Sequence, residues 1–64
     1  MNEIAYEYLV FYREKYVRKF SSENSAKNFM NEMIELGFDA EVYAKEKNGI
    51  KLFLIAKRSG NNAK

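Results

Sequence analysis

Between Ser22 and Leu36 the apolar residues fall at helical spacing. Ala26, Phe29, Met30, Met33, Ile34 and then Gly37 form one stripe, while Lys27, Asn28, Asn31, Glu32 and Glu35 occupy the opposite side. The pattern predicts an amphipathic helix over 22–36. Its start is marked by Ser21 or Ser22 as N-cap and by Glu23, whose charge suits the positive end of the helix dipole. Phe20 is placed as a hydrophobic staple, and Gly37 stands where the chain must turn left-handed to leave the helix.

Beyond the helix the period changes from helical to alternating. Asn48-Gly49 between apolar runs predicts a hairpin over Phe38–Lys57. A two-residue loop at Asn48-Gly49 would set Glu41, Lys45 and Lys47 on the same side as Leu52 and Leu54. A three-residue loop over 47–49, with Gly49 in a bulge, pairs Glu46 with Ile50, Ala44 with Leu52, Val42 with Leu54 and Ala40 with Ala56. One side then reads Ala40, Val42, Ala44, Ile50, Leu52, Leu54, Ala56, an unbroken apolar surface for the helix, and this is the register expected.

The N-terminal third is rich in aromatic and β-branched residues from Tyr6 to Arg13 and is read as strand, although Ile4, Tyr8, Phe11 and Lys15 also sit at helical spacing. Tyr6–Phe20 exceeds the usual strand of about 3–10 residues, so it either bends or folds back near Arg13-Glu14-Lys15. The fold class expected is α+β: an antiparallel sheet of three to four strands with one helix packed on one face. Its order is ββαββ, or βαββ if the first strand is continuous. Residues 1–58 form the single domain, and 59–64 read as a polar, frayed tail.

One helix covers one face of such a sheet, and the chain has no second helix for the other. On the expected register that outer face carries Tyr43 opposite Phe53 and Ile55 beside Glu41, ringed by Lys45, Lys51 and Lys57. If Leu9 and Phe11 point at the helix, then Tyr6, Tyr8, Val10 and Tyr12 face outward, and in the reverse register Leu9 and Phe11 do. A contiguous apolar patch of this kind marks an interface.

Composition narrows the chemistry. The 64 residues include no Cys, His, Trp or Pro, which removes disulfides, thiol and imidazole catalysis and zinc-finger ligation. Only Lys, Tyr, Ser and carboxylates remain for catalysis, with no visible pairing among them, so an enzyme is not expected. Glu32, Glu35, Asp39 and Glu41 lack the spacing of a cation loop, and the three glycines are isolated, so no metal, cofactor or small-molecule substrate is expected. A chain this short buries roughly 60% of its unfolded surface, which makes help from a partner subunit, as in a homodimer, an expectation. The absence of Cys and of a basic-then-apolar opening reads as cytoplasmic, with no membrane association. Eight Lys, seven Asn, five Tyr and five Phe suit an AT-rich genome, such as that of a phage or mobile element.

Charge is uneven along the chain. Residues 1–20 carry four basic and three acidic groups, residues 21–48 three and six, and residues 49–64 four and none. In the segment from Tyr12 to Phe20, Arg13, Lys15, Arg18 and Lys19 alternate with Tyr12 and Tyr16, a combination suited to phosphates and stacked bases. The plainer reading is an edge strand whose cations deter aggregation.

The run Phe20-Ser-Ser-Glu-Asn-Ser-Ala-Lys-Asn-Phe29, closing at Leu36-Gly37-Phe38, resembles the strand, Ser-capped helix and glycine of one half of an SPOR-type fold. The likeness covers roughly a third of the chain, and the second helix of such domains has no counterpart here. The functional expectation is a small non-catalytic protein–protein interaction module, a phage or mobile-element protein that binds and modulates a host factor. It would dimerise or dock through Tyr43, Phe53, Ile55, Lys45 and Lys51. The alternative is a nucleic-acid binder using Tyr12, Arg13, Lys15, Tyr16, Arg18 and Lys19.

Overall fold

A computed structural model describes residues 5–60. The elements run β1 (Tyr6–Tyr12), β2 (Tyr16–Phe20), α1 (Glu23–Glu35), β3 (Ala40–Glu46) and β4 (Leu52–Arg58). The four strands make one antiparallel sheet in the order β2-β1-β3-β4, with the helix on one side. The chain is an α+β fold of the ββαββ kind, its N-terminal third folding back as a hairpin.

The helix starts where its cap chemistry places it. Ser22 has extended backbone and its Oγ accepts the Ser25 N–H at 3.2 Å, while Glu23 in the first turn pairs with Lys27 one turn on at 2.9 Å. At the far end the Phe38 N–H donates to the Met33 carbonyl and the Gly37 N–H to that of Ile34, the paired hydrogen bonds of a Schellman turn. Gly37 sits at φ 97, which a side chain would resist. Ala26, Met30 and Ile34 are buried against Val10, Ala40 and Val42, with Phe29 and Met33 packed beside them.

The β1–β2 turn contains neither Gly nor Asn, yet Arg13 and Glu14 both take positive φ, 56 and 69. Left-handed backbone costs an L-residue about 1–2 kcal/mol. Glu14→Gly should therefore stabilise the chain by about 1 kcal/mol, allowing for the extra freedom that glycine brings to the unfolded state. Urea denaturation of the two proteins checks this, and an unchanged midpoint would show the turn to be unstrained.

The β3–β4 register differs from the expected one. Val42 faces Ala56, Tyr43 faces Leu54, Ala44 faces Phe53 and Lys45 faces Leu52, with Ile55 inserted as a bulge between the first two pairs. Pairing stops at Lys45 and Leu52, so Glu46 does not meet Ile50, which is exposed. The reason lies in the helix, which packs on β1, β3 and β2 and reaches β4 only towards its C-terminal half. There Ile55 and Ala56 lie against the core and the Arg58 guanidinium donates to Asn31 Oδ1 at 2.8 Å. Leu52 and Leu54 have no helix to face and turn to the other side. At the loop, β3 runs on beside β1, with Glu46 opposite Tyr6 and the Lys47 N–H donating to the Ala5 carbonyl.

Of the expected polar tail, residues 61–64 lie outside the described residues. The Gly60 N–H donates to Asp39 Oδ1 at 2.6 Å, and Gly60 packs so closely on Gly37 and Phe38 that a Cβ there would overlap their backbone.

Candidate interaction face of the sheet

Strand alternation and pairing assign every outward side chain. Val10 on β1 and Ala40, Val42 and Ala44 on β3 point to the helix, so Glu7, Leu9 and Phe11 of β1 point away, as do Glu41, Tyr43 and Lys45 of β3. Across the sheet from β2 to β4, one row reads Val17, Phe11, Glu41, Lys57. The next reads Lys19, Leu9, Tyr43, Leu54, and the last Glu7, Lys45, Leu52. The apolar members form a diagonal from Val17 through Phe11, Leu9 and Tyr43 to Leu54 and Leu52. Val17 is 55% exposed, Leu54 56% and Leu52 42%.

Charges occupy the two remaining corners and are paired there. At one corner the Glu7 carboxylate takes Lys45 at 3.0 Å and Lys19 at 3.3 Å; at the other, Glu41 meets Lys57 at 3.7 Å and accepts the Tyr43 hydroxyl at 2.7 Å. The Tyr43 ring stands edge-on to Phe11, centroids 5.5 Å apart. A shallow groove of about 400 Å³ crosses this face between Phe11, Tyr43, Glu41 and Leu52, with Glu14 and Asp39 at its rim.

The Lys45 hydrogen bond is the main cause that holds the Glu7 carboxyl below its ordinary value of 4.5; burial opposes it, and Lys19 reinforces it. A carboxylate stabilised in the folded state adds stability above its unfolded pKa and loses it as the pH falls through the folded one. The wild-type chain should therefore lose stability below pH 4.5, and Glu7→Gln should show a shallower loss over the same range. Denaturation midpoints at pH 7 and pH 3 measure the difference, and parallel curves would remove Glu7 as a contributor. The Tyr43 hydroxyl is pushed above its ordinary 10.0, first by its hydrogen bond to Glu41, so it remains a donor at neutral pH.

Of the residues expected at a partner site, Tyr43 and Lys45 lie on the outer face. Phe53 and Ile55 do not: Phe53 stands opposite Ala44 on the helix side, Ile55 is the bulge packed towards the core, and Lys51 lies in the loop before β4. The aromatic partner of Tyr43 is Phe11, not Phe53. Val17, Leu52 and Leu54 were not expected outward, and Glu7 was not expected to anchor a corner. Glu7 does carry a readable signal, since a carboxylate in alternation with Leu9 and Phe11 belongs on the wet side.

The basic aromatic segment is divided. Tyr16 stacks on Tyr12 at 5.6 Å, and Tyr12 in turn meets Phe29 edge-on. The Arg18 guanidinium lies over Phe29 and Phe20 at 5.0 and 5.3 Å, and that of Arg13 over Phe38 and Tyr16 at 4.6 and 5.2 Å. Lys15 lies 5.7 Å from the Tyr16 ring, and Lys19 points to the outer face with Glu7. Cations of the chain itself therefore rest on these rings.

The carboxylates Glu32, Glu35, Asp39 and Glu41 do not assemble. Asp39 holds Gly60 and Glu41 holds Tyr43 and Lys57, and among the described residues no three His, Cys, Asp or Glu side chains gather as metal ligands. No helix of the described residues is long and apolar enough to cross a membrane. Comparison with known protein families, with curated proteins and with solved structures finds no match for the chain.

Proposed function

We propose that the chain is a non-catalytic protein–protein interaction module that docks through the outer face of its sheet. The observation that carries this reading is the uncovered diagonal of Val17, Phe11, Leu9, Tyr43, Leu54 and Leu52, apolar across all four strands and bounded by paired charges. An apolar core with a polar rim is the usual anatomy of a docking surface. The lack of Cys suits a reducing compartment such as the cytoplasm, and the residue usage suits a phage or mobile-element protein acting on a host factor.

A benzophenone side chain at position 54, photolysed in cells that produce the chain, tests the reading against the same group at position 28 on the exposed side of the helix. Position 54 should give protein adducts that survive nuclease, and position 28 should give none. Equal adducts at both positions, or none at 54, would overturn it.

A second reading, nucleic-acid binding along the β1–β2 edge, is favoured by Arg13, Lys15 and Arg18, which have no carboxylate partner among the described residues. Titration with single-stranded DNA at low salt decides it. Binding that weakens steeply with salt would support it, and a flat titration would dismiss it.

A further inference from the structure

Taking the outer face as an interface, we infer that its occupant is a second copy of this chain, stacked sheet on sheet about a two-fold axis that runs along the apolar diagonal. The face offers the area. Three strands of seven residues and one of five, about 4.8 Å apart at about 3.3 Å per residue, make about 400 Å² of projected sheet, and its side-chain relief brings the accessible area between that figure and the ~800 Å² that each partner gives to a standard interface.

The charges are complementary under that operation. A two-fold axis along the diagonal lays the apolar residues of one copy on those of the other. It also carries the Glu41–Lys57 corner onto the corner of Lys19, Glu7 and Lys45, so that Glu41 meets Lys19 of the second copy and Lys57 meets its Glu7. Turning the copy about a diagonal sets the two sets of strands near right angles, one of the two packing modes that sheets adopt. An isologous contact needs this kind of self-matching patch.

The sheet edges do not offer the same fit. β2 reads Tyr-Val-Arg-Lys-Phe and β4 Leu-Phe-Leu-Ile-Ala-Lys-Arg, so both free edges carry cations and no carboxylate. Cations along an edge discourage strand pairing with another copy. A face-to-face pair leaves both edges in water and still covers the side of the sheet that the helix leaves bare.

Sedimentation velocity of the full chain over a range of concentrations tests the proposal. The expected result is a mass of two chains at tens of micromolar, with Leu54→Glu weakening the dimer by about 100-fold or more, since a carboxylate would replace an apolar member of the diagonal that the contact buries. Asn28→Glu should leave the mass unchanged. If Leu54→Glu fails to fold by circular dichroism, Val17→Glu replaces it, as Val17 is equally exposed in one chain. Glu41→Gln and Lys19→Gln, whose side chains pair with Lys57 and Glu7 but not with each other within one chain, should act non-additively on the dissociation constant by about threefold. A one-chain mass at every concentration, a dimer indifferent to the glutamate, or strict additivity would overturn the proposal. A benzophenone adduct at position 54 with a different protein, beside a one-chain mass, would retain the docking face and reject the second copy. No adduct at 54 would reject both.

Discussion

Ile34→Ala should cost the chain about 3 kcal/mol, the middle of the range for deleting a buried isoleucine side chain down to its Cβ. Ile34 is 3% exposed and stands in the last turn of α1, packed in one cluster with Val10, Ala40 and Val42. The strand positions beneath the helix include Ala40 and Ala44, whose methyl groups cannot extend into the gap. A core of this size supplies only about 3–5 kcal/mol in all, so the variant should be substantially unfolded at 37 °C. Leu36, two residues on and 65% exposed, provides the contrast: Leu36→Ala should shift stability by no more than about 0.5 kcal/mol. Urea titrations at one fixed protein concentration compare the two. A loss below about 1 kcal/mol for Ile34→Ala would mean that the helix is held by something other than this stripe.

Ala26→Leu should be destabilising although it adds apolar surface. Ala26 is wholly buried where α1 meets the sheet, and a leucine there would have to push the helix away or twist out of its rotamer wells, at a cost of about 1–3 kcal/mol. Intrinsic helix preference cannot explain such a loss, because leucine forms helix almost as well as alanine. The displaced helix should also loosen Phe29 from Tyr12 and Phe20, which the near-ultraviolet circular dichroism of the tyrosines reports. A stable variant with an unaltered aromatic spectrum would show a void beneath the helix.

The helix was legible to its ends because each signal is local: Ser22 caps within three residues, and Gly37 ends it by its own backbone. Strand length says that residues 6–20 must bend or fold back, which keeps ββαββ and βαββ both open; with no Gly or Asn at Arg13-Glu14-Lys15, only the structure decides for the hairpin. The β4 register was not legible, because alternation alone sends every second apolar residue of the hairpin towards the helix, and a single helix spans only three strands here. The Ile55 bulge follows from the same limit, since it lets Ile55 and Ala56 reach the core while Leu54 faces outward. On the outer face Tyr43 and Lys45 were legible from β3 alone, where the buried alternation is clean. Phe53 and Ile55 depended on pairing, and pairing is non-local. The facing of β1 was left open because both of its alternations are apolar, and Glu7 was the one residue able to decide it.

The seat of Gly60 on Gly37, with its N–H on the Asp39 carboxylate, has a mechanical consequence. The helix meets β4 only where Ile55 and Ala56 reach the core, and β4 is otherwise tied to it through β3. Gly60 and Arg58 fasten the end of β4 to the cap and to the flank of the helix, like the second anchor of a lever whose first is the hairpin loop. The helix cap, closed by the Gly37 and Phe38 amides on Ile34 and Met33, and the end of β4 thereby share one close backbone contact.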